Sequence, residues 1–222
     1  MRLETIEARD LPDAWFQVIY HLLSKGRRYI IDRGSYAGQE RIEYDYVTLH
    51  VRYPGTRPLV PDIPAHYGVP SPVTEQYVQE YLPYLMLAEK HPNEQYTYGQ
   101  YLEHQIEAVI RMFREDGYNT NQATMTVGDA SSIYLEHPPC LRLVDCRILD
   151  GKLHFICYFR SWDAWGGLPA NLAGLQLMKE YMASEIGVQD GEIIAASKGL
   201  HVYGFVRDIV MKVSGRNVLK DF

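Results

Sequence analysis

The residues best suited to chemistry lie in one short part of the chain, between positions 138 and 171. They supply a thiol, a guanidinium, a hydroxyl, a carboxylate and an amide, carried by Cys140, Arg160, Ser161, Asp163 and Asn171. A thiolate is a nucleophile, and a nearby guanidinium favours the ionised form of a thiol. An arginine followed by a serine can bind a terminal phosphate. The set predicts a nucleophilic cysteine beside a site for a phosphorylated substrate.

The sequence around Cys140 also predicts how the thiol and the guanidinium meet. Two apolar runs, 141–148 and 153–159, flank Asp150-Gly151, a pattern typical of an antiparallel hairpin. Cys140 opens the first strand and Arg160 closes the second. We therefore expect both side chains at the same end of the sheet, where Arg160 should lower the pKa of the thiol.

Each of these residues also has an ordinary structural interpretation. Cys140 could be a small buried hydrophobic residue, Arg160 a strand-end arginine in water, and Asn171 a helix cap or a satisfied core amide. The amide of Asn171 nevertheless offers a donor and an acceptor, which match O4 and N3–H of uracil. His201 and Tyr203 share one face of a predicted strand, where they could bond a sugar hydroxyl or be half-buried structural residues.

Periodicity places these residues in a mixed fold. Segments with the apolar spacing of amphipathic helices are 11–25, 73–90, 98–116 and 168–186. Besides the hairpin, the β-rich segments are 44–53, 122–127, 192–197 and 200–206. Residues 33–41 and the proline-rich residues 54–72 are predicted to be irregular. Helices and strands interleave without regular βαβ units, which favours the α/β (α+β) class, with a mixed sheet covered by helices on one face.

Composition limits the classes of function. A length of 222 residues favours a single domain, 1–222, and 46% apolar with 23% charged residues is ordinary for a globular core. The formal charge of −6 argues against DNA and RNA as partners. Three cysteines without a secretory signal indicate free thiols in the cytoplasm, and Cys146 and Cys157 are predicted core residues. No run of 18 apolar residues predicts a membrane span, and no ligand spacing predicts a metal site.

In this order and spacing, the short motifs of the chain resemble those of a known family. They are Pro138-Pro139-Cys140, Asp150-Gly151-Lys152-Leu153, Arg160-Ser161-Trp162-Asp163, Gly167-Leu168-Pro169-Ala170-Asn171 and Leu200-His201-Val202-Tyr203. Together with Tyr96-Thr97-Tyr98-Gly99-Gln100, they resemble thymidylate synthase of the folate-dependent, cysteine-nucleophile type. The resemblance covers about half of the chain, and the short length looks like the compact archaeal-type branch.

The resemblance implies methyltransferase chemistry. Cys140 would attack C6 of dUMP, and C5 would then take a one-carbon unit from methylenetetrahydrofolate or a related tetrahydropterin. Loss of the C5 proton, elimination of the pterin and hydride transfer from it to the one-carbon unit would give dTMP. By motif matching, Arg160 would lie beside the thiol, Asp163 would contact the pterin and support the base, and Tyr98 would join proton transfer. These four residues are the implied catalytic set.

The resemblance also implies how the nucleotide is held. Arg33 and Ser161 would bind phosphate together with Arg160. Gly167 would let the nucleotide lie close to the backbone, and Asn171 would bind the edge of the uracil. His201 and Tyr203 would bind the ribose 3′ hydroxyl. The second face of the sheet would pack against a partner subunit in a homodimer.

The sequence departs from the family pattern at several places. Residues 120–123, Thr-Asn-Gln-Ala, replace an arginine pair that usually reaches the partner subunit's phosphate, so that one of four arginines would have to substitute: Arg27, Arg28, Arg33 or Arg41. Leu141 stands where a histidine usually follows the nucleophile. A tryptophan-rich folate-binding segment has no counterpart, and the chain ends at Phe222, which could cap a ligand.

Two further functions stay open at this point. One is a pyrimidine nucleotide 5-hydroxymethylase on the same scaffold, which would add water in place of hydride. Asn171 argues against a cytosine substrate, because N3 of cytosine carries no proton, and the family's cytosine-specific members usually have aspartate there. The other is a non-catalytic nucleotide- or RNA-binding relative, against which the intact Cys140 and the acidic balance argue.

Overall fold

Ten strands and five α-helices make up the part of the chain described here, residues 1–90, 92 and 94–215 of a computed structural model. The strands are β1 Leu3–Ala8, β2 Arg27–Ile30, β3 Glu40–Glu43, β4 Tyr46–Val51, β5 Thr124–Thr126, β6 Leu141–Leu149, β7 Lys152–Phe159, β8 Trp162–Asp163, β9 Gln189–Ser197 and β10 Leu200–Tyr203. The helices are α1 Leu11–Lys25, α2 Glu75–Met86, α3 Gly99–Glu115, α4 Gly167–Ile186 and α5 Arg207–Val213. Phe222 lies outside the described residues.

The strands form two sheets rather than one. The main sheet has the order β1-β4-β9-β7-β6-β5, with β1–β4 and β7–β9 parallel and the other pairs antiparallel. This confirms the predicted mixed sheet of an α+β fold. The second sheet, β2-β3-β10-β8, was not predicted. Its strands β2 and β3 read Arg-Arg-Tyr-Ile and Glu-Arg-Ile-Glu, too short and too charged to show alternation.

The predicted hairpin is confirmed and fixes the position of Cys140. Asp150 and Gly151 have φ angles of 51° and 70°, the left-handed geometry of a tight two-residue turn between β6 and β7. At the open end, the backbone amide of Arg160 donates to the carbonyl of Cys140 at 2.9 Å. A β-bulge between Leu141 and Leu143 follows Cys140 directly. Bulges of this kind re-aim side chains near functional sites.

The predicted helices are confirmed, with ends set by local chemistry. The carboxylate of Asp10 accepts from the backbone amide of Asp13 at 2.9 Å and begins α1, which ends at Gly26 as expected. Helix α4 ends at Gly187, whose φ of 85° suits glycine. One flank of α4 packs on β7 and β9, and another receives α2. No helix within the described ranges is both long and apolar enough to cross a membrane.

The second face of the main sheet is only partly covered. Side chains in register across β4, β9, β7 and β6 are half-buried there, among them Thr48, Ala196, Tyr158 and Leu143. Their neighbours in the same strands point into the core, so burial alternates residue by residue. An alternating pattern of this kind is typical of a sheet packed on one face.

Candidate active site

The structure brings the predicted thiol and guanidinium together. Nη2 of Arg160 lies 3.7 Å from Sγ of Cys140. The same guanidinium donates to the two carbonyls that precede the cysteine: Nε to Pro139 at 3.1 Å and Nη2 to Pro138 at 2.5 Å. Arg160 therefore fixes the chain leading to Cys140 as well as placing a cation beside its sulfur.

The ionisation of Cys140 differs from expectation. Burial raises the pKa of the Cys140 thiol, and this effect outweighs the lowering of that pKa by Arg160 and Arg41. The expectation that the guanidinium sets a net lowered pKa was wrong, because the sequence gives no measure of how deeply the sulfur is buried. In the free protein the thiol is consequently held mostly protonated at neutral pH.

Cys140 opens onto a cavity of about 420 Å³, a volume in the range of small-molecule sites. Arg33, Arg160, Ser161 and Tyr203 also line it, as motif matching implied. A larger cavity, about 670 Å³, lies at the turn end of the hairpin, by Asp150 and Lys152. It contains none of the predicted site residues, so the smaller cavity is the candidate active site.

The cavity has a net positive charge, because three arginines and one acidic residue, Glu136, line it. Three guanidiniums line it, those of Arg33, Arg41 and Arg160, together with the hydroxyl of Ser161. Charge-assisted bonds from several arginines suit a phosphate dianion. Of the other two arginines considered, Arg27 lies 3.3 Å from the carboxylate of Asp45 and does not reach this cavity. Arg28 is exposed and does not line it either.

Arg41 is the cavity residue with the most unusual surroundings. It lies opposite Tyr203 in the β3–β10 pair, and its Nη2 donates to that tyrosine's hydroxyl at 3.4 Å. Nη1 donates to the hydroxyl of Tyr29 at 3.4 Å and lies 3.6 Å from the carboxylate of Glu43. Bonds of this length are weak, so a stronger acceptor in the cavity would compete for the guanidinium.

His201 and Tyr203 have separate environments. The Tyr203 ring lines the cavity and lies 4.3 Å from that of Tyr36. His201 is only 1% exposed and does not line it. Its Nδ1–H donates to the carbonyl of Gly199 at 2.8 Å, and Nε2 has no partner among the described residues. Burial, with Arg41 nearby, lowers the pKa of His201 to about 4, so the imidazole is neutral and Nε2 is a free acceptor.

Asp163 and Gly167 organise the start of α4. Oδ2 of Asp163 accepts from the backbone amides of Gly166 and Gly167, both at 2.9 Å. A side chain at 167 would bring its Cβ within 3.2 Å of that of Asp163. The carboxylate therefore caps the helix, and neither residue lines the cavity.

The polar groups of Asn171 and Tyr98 are already bonded within the protein. Oδ1 of Asn171 accepts from Nε1 of Trp162 at 3.0 Å, and Nδ2 donates to the hydroxyl of Tyr81 at 2.8 Å. The hydroxyl of Tyr98 accepts from the backbone amide of Leu141 at 3.4 Å. Burial raises the pKa of Tyr98 well above its usual value, so this phenol keeps its proton.

Several residues at the candidate site could not be found from local sequence. Tyr81 precedes Asn171 by 90 residues, and no spacing rule connects them. Tyr96 and Tyr36 also line the cavity. Tyr96 belongs to the motif around Tyr98, which was its only signal, while Tyr36 lay in a segment that showed only the composition of a loop.

Comparison with known proteins identifies the family. A family model described as thymidylate synthase matches residues 85–218. Archaeal relatives carry the name "Putative thymidylate synthase": that of Methanosarcina acetivorans is 31% identical over 214 residues, covering 94% of this chain and 93% of its own. Those of Methanosarcina mazei and Methanothermobacter thermautotrophicus are 31% and 26% identical, over 94% and 90% of this chain and 93% of each relative. The chain therefore belongs to the thymidylate synthase family.

Proposed function

We propose that the protein is a single-domain enzyme that methylates dUMP to dTMP, with a methylene-tetrahydropterin such as methylenetetrahydrofolate as the donor. The observation that carries this is the 3.7 Å contact of Arg160 with the Cys140 sulfur, on the wall of a basic cavity. A family scaffold alone does not fix an activity, whereas a nucleophile beside a cation in a nucleotide-sized cavity supports one.

Cys140 would form a bond from its sulfur to C6 of the uracil, which makes C5 nucleophilic. The pterin supplies the one-carbon unit that C5 accepts and the hydride that completes the methyl group. The C5 proton is lost and the sulfur–C6 bond breaks to release dTMP. Because burial raises the pKa of Cys140, its thiolate is scarce, and Arg160 and Arg41 increase that small population.

The phosphate would bind to the three guanidiniums and the Ser161 hydroxyl of the cavity. All these groups belong to one chain. Their positive charge would be sufficient to bind the phosphate without the family's arginine pair. Arg41 takes the part of that pair most directly, because its weak bonds to two phenols can be exchanged for bonds to a dianion.

The base and the pterin would meet different surfaces. Asn171 has one lone pair and one N–H left beside its protein partners, which match N3–H and O4 of uracil. The rings of Tyr36, Tyr203 and Phe205 form an aromatic group at the cavity, and Phe205 is 63% exposed. Such a surface fits a flat pterin ring. Asp163 would support both indirectly, by ordering the start of α4.

The active assembly would be a cytoplasmic homodimer. The half-buried second face of the main sheet, with apolar side chains such as Leu143 and Tyr158, supports a subunit contact there. A sheet face that is mixed but apolar at its centre is typical of subunit interfaces.

The covalent step is tested with 5-fluoro-dUMP and methylenetetrahydrofolate. Fluorine at C5 cannot leave as a proton does, so the reaction should stop with both ligands attached to Cys140. Mass spectrometry of the intact protein and its peptides locates the adduct. Cys146→Ser is the matched control, because that thiol is buried in β6 and should not affect adduct formation.

Three outcomes decide the proposal. An adduct on Cys140, absent in Cys140→Ser, supports it, and Cys140→Ser should still bind dUMP. No adduct in the wild type, or loss of binding and turnover together in Cys140→Ser, contradicts a nucleophilic role. With dUMP as substrate, chromatography should find dTMP; a 5-hydroxymethyl nucleotide as the main product would replace methylation with hydroxymethylation.

A further inference from the structure

The Asn171 amide has two hydrogen-bond partners of different chemistry. The indole N–H of Trp162 can only donate, so the group facing it at 3.0 Å must be Oδ1. Nδ2 is then turned to the hydroxyl of Tyr81, which accepts from it at 2.8 Å. Rotating the amide by half a turn would set N–H against N–H at Trp162 and lose that bond, whereas the Tyr81 hydroxyl, which can also donate, would still bond the amide.

We propose that Trp162 is the positioning residue that locks the Asn171 amide in the orientation complementary to uracil, and so excludes cytosine, while Tyr81 holds the amide in place without selecting its orientation. This inference rests on the proposed function, because it takes Asn171 to read the base. The two residues act through Asn171 rather than by touching the substrate.

The lock matters because an unrestrained amide does not discriminate. Uracil presents a donor at N3 and an acceptor at O4, whereas cytosine presents an acceptor at N3 and a donor at N4. An amide that is free to rotate by half a turn exchanges the positions of its donor and its acceptor, and would therefore pair with either base. Discrimination then depends on what prevents Asn171 from turning.

Both neighbours are themselves held in place. Trp162 is 2% exposed, and its ring stacks on Phe159 at 4.0 Å with an interplanar angle of 6°. The Tyr81 ring crosses α4 at Gly174, where a Cβ would approach Cε1 of the tyrosine to 2.9 Å. The missing side chain at 174 lets α2 approach closely enough for the phenol to reach the amide.

The test measures dissociation constants for dUMP and dCMP by calorimetry on the whole protein. Trp162→Phe retains a stacked ring and removes the N–H, and one neutral hydrogen bond corresponds to about a fivefold change in an equilibrium. The ratio of the dCMP constant to the dUMP constant should therefore fall about fivefold, and dCMP should bind more tightly than it binds the wild type. Tyr81→Phe, which removes a partner able to bond either end of the amide, should leave the ratio unchanged.

A second variant keeps the inference testable if Trp162→Phe is unstable. Trp162→Leu also removes the N–H and should lower the same ratio, with thermal unfolding as the check on folding. Equal weakening of both nucleotides, or an unchanged ratio in a folded Trp162 variant, would show a merely structural role and overturn the lock. A wild type that does not prefer dUMP would instead overturn the proposed function, and the lock with it.

Discussion

Replacing Arg160 by glutamine should make Cys140 a much weaker nucleophile. The change removes the cation 3.7 Å from the sulfur while keeping a side chain that can bond the proline carbonyls. A hydrogen bond to a charged group contributes about 2 kcal/mol. That energy corresponds to about thirtyfold less thiolate at neutral pH, where little of the thiol is ionised.

The rate of alkylation by iodoacetamide, followed from neutral to alkaline pH, measures this population. The wild-type rate should rise with pH beyond the range of an ordinary cysteine, because burial raises the pKa of Cys140. In Arg160→Gln the profile should move to still higher pH, with a neutral rate about thirtyfold lower. The buried thiols Cys146 and Cys157 should not react in the folded protein.

Arg160→Lys separates charge from geometry. A lysine retains the cation but cannot bond two carbonyls and the sulfur as the planar guanidinium does. The pH profile of the alkylation rate in Arg160→Lys should therefore lie between those of the wild type and Arg160→Gln. Arg41→Gln should move the profile in the same direction by less, because Arg41 is the smaller of the two cationic influences on the Cys140 pKa. An identical profile for wild type and Arg160→Gln would refute the electrostatic role of the guanidinium.

Three further predictions concern stability, measured by urea unfolding. Asp163→Ala should lower the free energy of unfolding by about 1–2 kcal/mol, because the amides of residues 166 and 167 lose their acceptor, while Asp163→Asn should keep most of it. The pKa of His201 is about 4 in the folded protein and 6.5 when the side chain is free, so the unfolded state binds the proton more tightly. The free energy of unfolding should therefore fall by about 3 kcal/mol as the pH drops from 6.5 to 4, and His201→Gln should lack this decrease. Lys179→Met should lower the free energy of unfolding by about 1–2 kcal/mol, because the carbonyl of Gly191 loses its buried donor and the carboxylate of Asp190, 3.1 Å away and 31% exposed, loses its cation.

Local pattern was sufficient for the helices, for the hairpin and for the central pair of the site. The hairpin follows from two apolar runs around Asp150-Gly151, and its turn adopts the geometry that these residues favour. Because one turn joins the two strands, the positions that flank them must meet, which places Cys140 beside Arg160. Helix α4 could also be predicted from the sequence, because Pro169 lies in its first turn and Gly187 follows its last residue.

The tertiary structure decided the chemistry of that pair and the partners of the others. The sign of the net shift in the Cys140 pKa depends on burial by distant residues, which no local pattern reports. Arg41 reaches the cavity because β3 pairs with β10, a contact between segments about 160 residues apart. The amide of Asn171 forms a hydrogen bond with Tyr81, which belongs to another helix. The sequence by itself determined which reactive groups the chain carries and which of them share a hairpin. Long-range packing determined how deeply each is buried and what it bonds, because burial depends on the whole chain around a residue and periodicity only on its neighbours.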